Sequence, residues 1–325
     1  MRNPGEHAML SRVADSLYWM SRYLERAEHT ARLIDVDLQL RLDQSAEAKS
    51  GRWVRLLEAS QAPVPETLDP VALTNVLTLD RSNPSSIVSC VAAARENLRQ
   101  VREQCSSEMW EQLNRLYLQI NSTAPGEAWL LHSHVFFRAV QEGAHLFQGV
   151  TDSTISHGEG WHYIQLGRFV ERTDALARLI GTHFLHLPHA ADQAVESEEY
   201  LEWVGLLKSC AAFEAYCMAH TAELRPLRVA EYLLLNADFP HSVRFSADMV
   251  HSALKVVAEL TGRKEEEPVR LAGRLSAKLS FGQIDEIMAG GANAYVDSVR
   301  RQCAQLHSAI HQVYFDYSIE SEMVA

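Results

Sequence analysis

Arg22, Glu25 and Arg26 recur 146 residues later as Arg168, Glu171 and Arg172, each time inside a segment with helical patterning. Met20-Ser-Arg-Tyr-Leu-Glu-Arg-Ala-Glu-His-Thr-Ala-Arg-Leu-Ile34 matches Leu166-Gly-Arg-Phe-Val-Glu-Arg-Thr-Asp-Ala-Leu-Ala-Arg-Leu-Ile180 in R-aromatic-aliphatic-E-R and then in A-R-L-I. Any two amphipathic helices share leucines, but two arginines and a glutamate in one register require common ancestry or a common task. A second anchor matches Leu79-Asp80-Arg-Ser-Asn-Pro84-Ser-Ser86-Ile87 to Leu235-Asn236-Ala-Asp-Phe-Pro240-His-Ser242-Val243 at an offset of 156. The offset grows by about ten, which places an insertion between the anchors in the second half, near His183 to Glu199. The chain therefore reads as one domain, residues 1–325, made of two repeats at about 1–150 and about 151–325. Two such halves pack most simply face to face about a pseudo-twofold axis, as symmetric oligomers do.

The fold class expected is all-α, a helical bundle of these two repeats in one compact unit. Aliphatic residues return at three- and four-residue spacing almost throughout, and no run of alternating strands bounded by turn pairs is present. In the first helix, expected from near Met9 into the forties, Leu10, Val13, Leu17, Met20, Leu24, Ala27, Ala31 and Leu38 form one stripe. Helix starts or turns are expected at Asn83-Pro84, Ser106-Ser107-Glu108, Ala124-Pro-Gly-Glu127 and His157-Gly-Glu-Gly160, and a helix end at Leu187-Pro-His189. Long helices near 128–148 and 294–317 would then be counterparts. With 47% hydrophobic residues the chain can bury a large core, and its net charge of -12 argues against a phosphate-tracking nucleic-acid surface. No stretch reaches a membrane span and no apolar signal core opens the chain, so a cytoplasmic protein with no membrane partner is expected. The five cysteines form no CxxC pair and read as small buried apolar residues.

On a helical wheel Asp15, Tyr18, Trp19, Glu25, Arg26, His29 and Leu33 fall within about 60° of Arg22. Arg22 and Arg26 lie one turn apart and repel, while Glu25 points away from Arg26, so each charge needs a partner from elsewhere. The reciprocal solution pairs Glu171 with Arg22 or Arg26, and Glu25 with Arg168 or Arg172. A second reading makes Arg22, Arg26, Arg168, Arg172, Glu25 and Glu171 a ligand-binding set, with arginines gripping a carboxylate and a glutamate accepting from an amine. That is the polarity of an amino acid. A third reading is a solvated face. Glu25 and Glu171 are also the candidates for a catalytic acid or base, which would need a raised pKa in an accessible pocket. Metal ligation is the weaker alternative: Glu142 with His145 and Glu159 with His162 have the E-x-x-H spacing of dinuclear helical bundles, completed by Glu25 and Glu171. No nucleotide loop, dinucleotide fingerprint or nucleophile elbow is present, and no cofactor is expected.

The Glu-Arg pairs at 25–26 and 171–172, Leu10-Ser-Arg-Val-Ala-Asp-Ser-Leu-Tyr-Trp-Met20, Asn83-Pro-Ser-Ser-Ile87, Ala94-Arg-Glu-Asn97, Ser107-Glu-Met-Trp110 and Glu159-Gly-Trp161 together resemble the alpha-E family of bacterial helical proteins. The resemblance covers nearly the whole chain. It departs at Phe239-Pro-His-Ser-Val243, where arginine is expected at 241; histidine there loses its charge above about pH 6.5. The resemblance implies a genomic companion, sometimes fused, of a circularly permuted ATP-grasp ligase, with a transglutaminase-like peptidase often nearby. The function it implies is that of an accessory protein in peptide or amino-acid ligation rather than an ATPase. The alternatives are an enzyme acting on peptide or amide bonds through Glu25 or Glu171, and a scaffold with no small-molecule site.

Overall fold

No glycine or proline interrupts residues 11–40, and their apolar positions recur every three or four residues, so this stretch winds into one helix of 30 residues, α1 (Ser11–Leu40). The computed structural model describes residues 9–40, 53, 55–63, 69–123, 129, 132–186, 197–220, 223–262 and 267–316. It is all-α, with no β-strand among the described residues. A helical stretch at 55–60 follows α1, then α2 (Pro70–Thr78), α3 (Ile87–Gln100), α4 (Ser107–Asn121) and α5 (Ser133–Thr154). The second half holds α6 (Glu159–His186), α7 (Ser197–Ser209), α8 (Phe213–His220), α9 (Pro226–Leu235), α10 (Val243–Thr261), α11 (Glu267–Ser280), α12 (Ile284–Ala289) and α13 (Ala292–Ile310). A π-helical turn, His311–Phe315, ends α13. None of the described helices is long and apolar enough to cross a membrane.

The starts at Ser107 and Glu159 fall at the breaks expected there, the first capped by Ser106 Oγ, which accepts from the Met109 amide, and α9 opens on a first-turn proline, Pro226. The start expected at Asn83-Pro84 is corrected: α3 begins at Ile87, and its cap is Ser86, whose Oγ accepts from the Ser89 amide. Asn83 is spent on the turn before it, accepting from the Ser85 amide and donating to the Val76 carbonyl, each at 2.9 Å. The second anchor ends in the same way. Asn236 Oδ1 accepts from the amides of Asp238 and Phe239 at 2.8 Å, and Ser242 caps α10 by accepting from Phe245 N at 3.0 Å. The turn expected at Ala124–Glu127 and the helix end at Leu187–His189 lie outside the described residues. The long helices expected near 128–148 and 294–317 are observed as α5 and as α13 with its π turn.

Helices α1 and α6 pack against each other and run in the same direction. Met9 N donates to Glu159 Oε2 at 3.0 Å near their beginnings, and the charged residues of both meet about three turns later. The crossing is close because position 167 is glycine: a Cβ there would lie 2.1 Å from the Tyr18 carbonyl oxygen and 3.1 Å from Ser21 Cβ. Around this pair the packing order repeats. α1 contacts α3 and α5, which α4 links, while α6 contacts α10 and α13, which α11 links. Two apolar clusters result. One gathers Leu17, Leu113 and Phe137 from the first half with Val250, Leu254 and Ile310 from the second; the other gathers Leu176, Ile180, Trp203, Leu233 and Val296. On α6 a buried polar tier, Glu171, Arg172 and Thr173, separates Val170 in the first cluster from Leu176 in the second.

Candidate functional site: the arginine–glutamate seam

The parallel register of α1 and α6 brings the two repeated clusters together at the centre of the molecule, and the ion pairs cross between them. Glu171 Oε2 accepts from Arg22 Nε at 2.8 Å, with Arg22 Nη2 also at 2.7 Å, and from Arg26 Nη2 at 3.1 Å; Glu171 Oε1 accepts from Arg26 Nε at 2.6 Å. On the other side Glu25 Oε1 accepts from Arg172 Nε at 2.5 Å, and Glu25 Oε2 faces Arg168 Nε at 3.8 Å and Gln148 Nε2 at 3.4 Å. Arg22, Glu25, Glu171 and Arg172 are all buried, so the face is not a solvated one. All six residues singled out in the sequence belong to one seam.

A second tier sits one turn further along. Glu28 pairs with Arg32, and Asp174 with Arg178 at 3.1 Å. These residues obey the same offset of 146 and stand inside the matched segments, so the repeat itself marked them. An acidic residue and an arginine four apart on a helix usually pair in solvent, so their spacing alone gives no sign of burial. Arg300 on α13 reaches Asp174 at 3.7 Å. His145 on α5 faces Glu28 at 3.6 Å. His307, also on α13, accepts at Nδ1 from Tyr18 Oη at 2.8 Å and from Arg22 Nη1 at 3.1 Å. An arginine only donates, so this nitrogen is unprotonated. The Trp19 ring lies 5.0 Å from the Arg22 guanidinium carbon and completes its enclosure. No local pattern announces His307, because it arrives from 285 residues away.

The electrostatics follow from crowding in a dry seam. Burial works against the Glu171 charge, but Arg22 and Arg26 overcome it and hold the carboxyl at about 2. Glu171 is therefore ionised at neutral pH with both oxygens occupied, which opposes a general-acid role. Burial, then Arg22, push His307 down to about 3, and burial takes His29 to about 4. Burial and Arg172 hold His241 well below its usual value, so the position where the family pattern expects arginine carries no charge at neutral pH. Burial also lowers Arg178, and burial with Arg172 brings Arg168 to about 10; both stay charged.

The two sides of the seam differ in space. A chamber of about 130 Å³ opens on the Glu171 side, lined by Arg22, Arg26, Arg178, Glu171, Asp174 and His29 among others. The Glu25 side, closed by Gln148, Phe147 and Gln165, leaves only about 10 Å³. Two polar atoms on the chamber residues, His29 Nε2 and Arg178 Nε, are buried without a hydrogen-bond partner. A groove of about 410 Å³, lined by Arg300, Arg301, Asp297 and His307, shares Arg22, Gln61 and Asp174 with the chamber.

The structure does not assemble the residues considered for a metal. Glu142 is exposed beside Arg138 at 3.8 Å, His145 turns to Glu28, Glu159 takes the Met9 amide, and His162 stands against Trp161. Glu25 and Glu171, which would have completed the set, are taken by arginines. No group of three or more His, Cys, Asp or Glu side chains among the described residues is placed to hold a cation.

Comparison with known proteins agrees with the motif that builds this seam. The chain is 24% identical to an uncharacterized protein of Mycobacterium bovis and 23% identical to one of Mycobacterium tuberculosis, in each case over 92% of this chain and 35% of the relative. It thus spans about a third of the length of these curated relatives. No solved structure matches it. The model of the Alpha-E family, described as a predicted alpha-helical domain with a conserved ER motif, matches residues 9–315. With its Glu-Arg pairs at 25–26 and 171–172 forming the central seam, the chain belongs to the Alpha-E family.

Proposed function

We propose that the protein is an accessory subunit of an ATP-grasp carboxylate–amine ligase and that the Glu171 side of its seam binds the carboxylate of a peptide or amino acid. The observation that carries the binding half is the asymmetry of the seam, with about 130 Å³ on the Glu171 side against about 10 Å³ on the Glu25 side. The chamber sets three guanidiniums, Arg22, Arg26 and Arg178, against two carboxylates, Glu171 and Asp174, so one negative charge balances it. Arg22 is enclosed by Glu171, His307 and Trp19, which leaves Arg26, 28% exposed, and the unpartnered Nε of Arg178 to meet a carboxylate. Asp174 is the more open acceptor for an amine, 27% exposed with its Oδ1 no nearer than 3.7 Å to Arg300, whereas Glu171 is 2% exposed and holds two arginines. The Glu25 side is the structural clasp that keeps α1 against α6.

The partner half rests on the family resemblance, in which such chains accompany ATP-grasp ligases or are fused to them. A relative more than twice as long, of which this chain matches one region, suits that arrangement. The same reading takes the halves as copies of one ancestral unit, supported by the crosswise ion pairs, the shared turn-and-serine cap and the repeated packing order. Titration calorimetry with N-acetylglycine and N-acetyl-triglycine tests the chamber. Binding to the native chain that weakens about tenfold or more in Arg178→Gln, with the helical circular dichroism retained, is expected. Failure of both compounds to bind would remove the carboxylate role, and failure of a neighbouring ATP-grasp ligase to co-purify would remove the partnership.

A further inference from the structure

The chamber and the groove adjoin, with Arg22, Gln61 and Asp174 lining both. Small-molecule sites typically occupy about 300–1,000 Å³, so the chamber of about 130 Å³ is too small to hold more than an end group, whereas the groove of about 410 Å³ is large enough for a body. Both walls mix signs: the chamber sets Arg22, Arg26 and Arg178 against Glu171 and Asp174, and the groove sets Arg22, Arg300 and Arg301 against Asp174 and Asp297, with Arg300 facing Asp297 at 3.6 Å. The groove wall alternates these hydrogen-bonding groups with small apolar ones, Val170, Cys303 and Ala304, which suits a chain of amides with short side groups. At the junction stands Gln61, a non-glycine residue at φ 51. Its left-handed conformation ends the helical stretch at 55–60 and puts an exposed residue on the rim shared by both spaces. The turn is an ordinary helix end, with Ala62 N donating to the Leu57 carbonyl at 3.1 Å, and the same φ recurs at Ala211 after α7.

Resting on the carboxylate-binding reading, we infer that the ligand is a chain rather than a free amino acid: an amide-bearing polymer end whose terminal carboxylate enters the chamber while the preceding units lie in the groove. Gln61 sits where the first amide after the carboxylate would pass, and Ala304, exposed on α13, lines the outer stretch.

Calorimetry on the full chain compares N-acetylglycine, N-acetyl-triglycine and N-acetyl-triglycine amide. The triglycine acid is expected to bind about tenfold tighter than N-acetylglycine or better, and the amide to lose that affinity. Ala304→Trp, an exposed change that obstructs the groove, is expected to bring the triglycine acid down towards N-acetylglycine. Equal affinity for the short and long acids, or equal affinity for acid and amide, would overturn the inference; in the first case the chamber still binds a carboxylate and the function proposed above stands. Absence of binding by both acids would remove the two together.

Discussion

Glu25 and Glu171 each neutralise two arginines in a space largely closed to water, and removal of either leaves guanidinium charge buried. Glu25→Gln strands Arg172, 4% exposed, and Glu171→Gln strands Arg22. Each substitution is expected to cost about 3–5 kcal/mol in urea unfolding, whereas replacing Glu25 and Arg172 together by methionine should recover only the Arg172 share of that loss, because Arg168 still loses the carboxylate it faces. An exposed pair would show almost none of it. Acid acts on the same residues. His307, His29 and His241 are all held below their unfolded pKa of about 6.5, so the fold favours their neutral forms. Their contribution is complete above pH 6.5 and is lost as pH falls towards about 3, where Glu171, held at about 2, then begins to lose its charge. Melting temperature measured from pH 8 to pH 4 should therefore decline below about pH 6.5; a flat profile to pH 4 would contradict the burial of these rings. At this scale the six central charges were legible because they repeat as a triplet. The outer tier repeats equally well, yet Glu28 with Arg32 and Asp174 with Arg178 look like ordinary helix-surface pairs. His307 has no sequence signal, since only tertiary packing brings it to Arg22.

Between helices, the decisive contact is the approach of α6 to the backbone of α1 at Gly167. A methyl group there meets a carbonyl oxygen, which cannot rotate away as a side chain can, so the helices must separate just before the ion pairs. Gly167→Ala is expected to destabilise by at least about 3 kcal/mol in denaturant unfolding. Gly149 on α5 provides the contrast, because a methyl group there meets nothing within 4 Å. Gly149→Ala should stabilise by about 0.5–1 kcal/mol through helix propensity alone. Most element boundaries were legible from serine, proline and glycine punctuation. The misplacement at Asn83 has a local cause: asparagine before proline makes a turn as readily as a cap, and Ser86 was the residue with an amide three positions ahead to receive. The close passage at Gly167 was not legible, because one glycine in an amphipathic segment does not say which helix it meets.

In the whole molecule, the larger apolar cluster draws on both halves, with Val250, Leu254, Ile310 and Phe315 packed among residues of α1 and α3–α5. The second cluster is tied to it by α6, which contributes residues to both on either side of its polar tier. Scanning calorimetry should accordingly show one cooperative transition over the described fold, with calorimetric and van't Hoff enthalpies in agreement. Two separated peaks would mean that the halves unfold independently. The all-helical class was legible from periodicity, and the pairing of the two charged helices from their shared register. Their parallel direction was not, since a wheel carries no information about the sense of a neighbour.

That direction has a consequence for how such a protein can specialise. Two identical subunits joined through a parallel helix pair carry every feature of their contact twice, so a vacancy beside one glutamate would necessarily appear beside the other. A single polypeptide is released from that obligation: Ser85 stands where the other half has His241, and one glutamate borders open space while its twin is sealed. On the common ancestry proposed above, fusion into one chain permits a division of labour, with one contact keeping the molecule shut and the other left free to receive something.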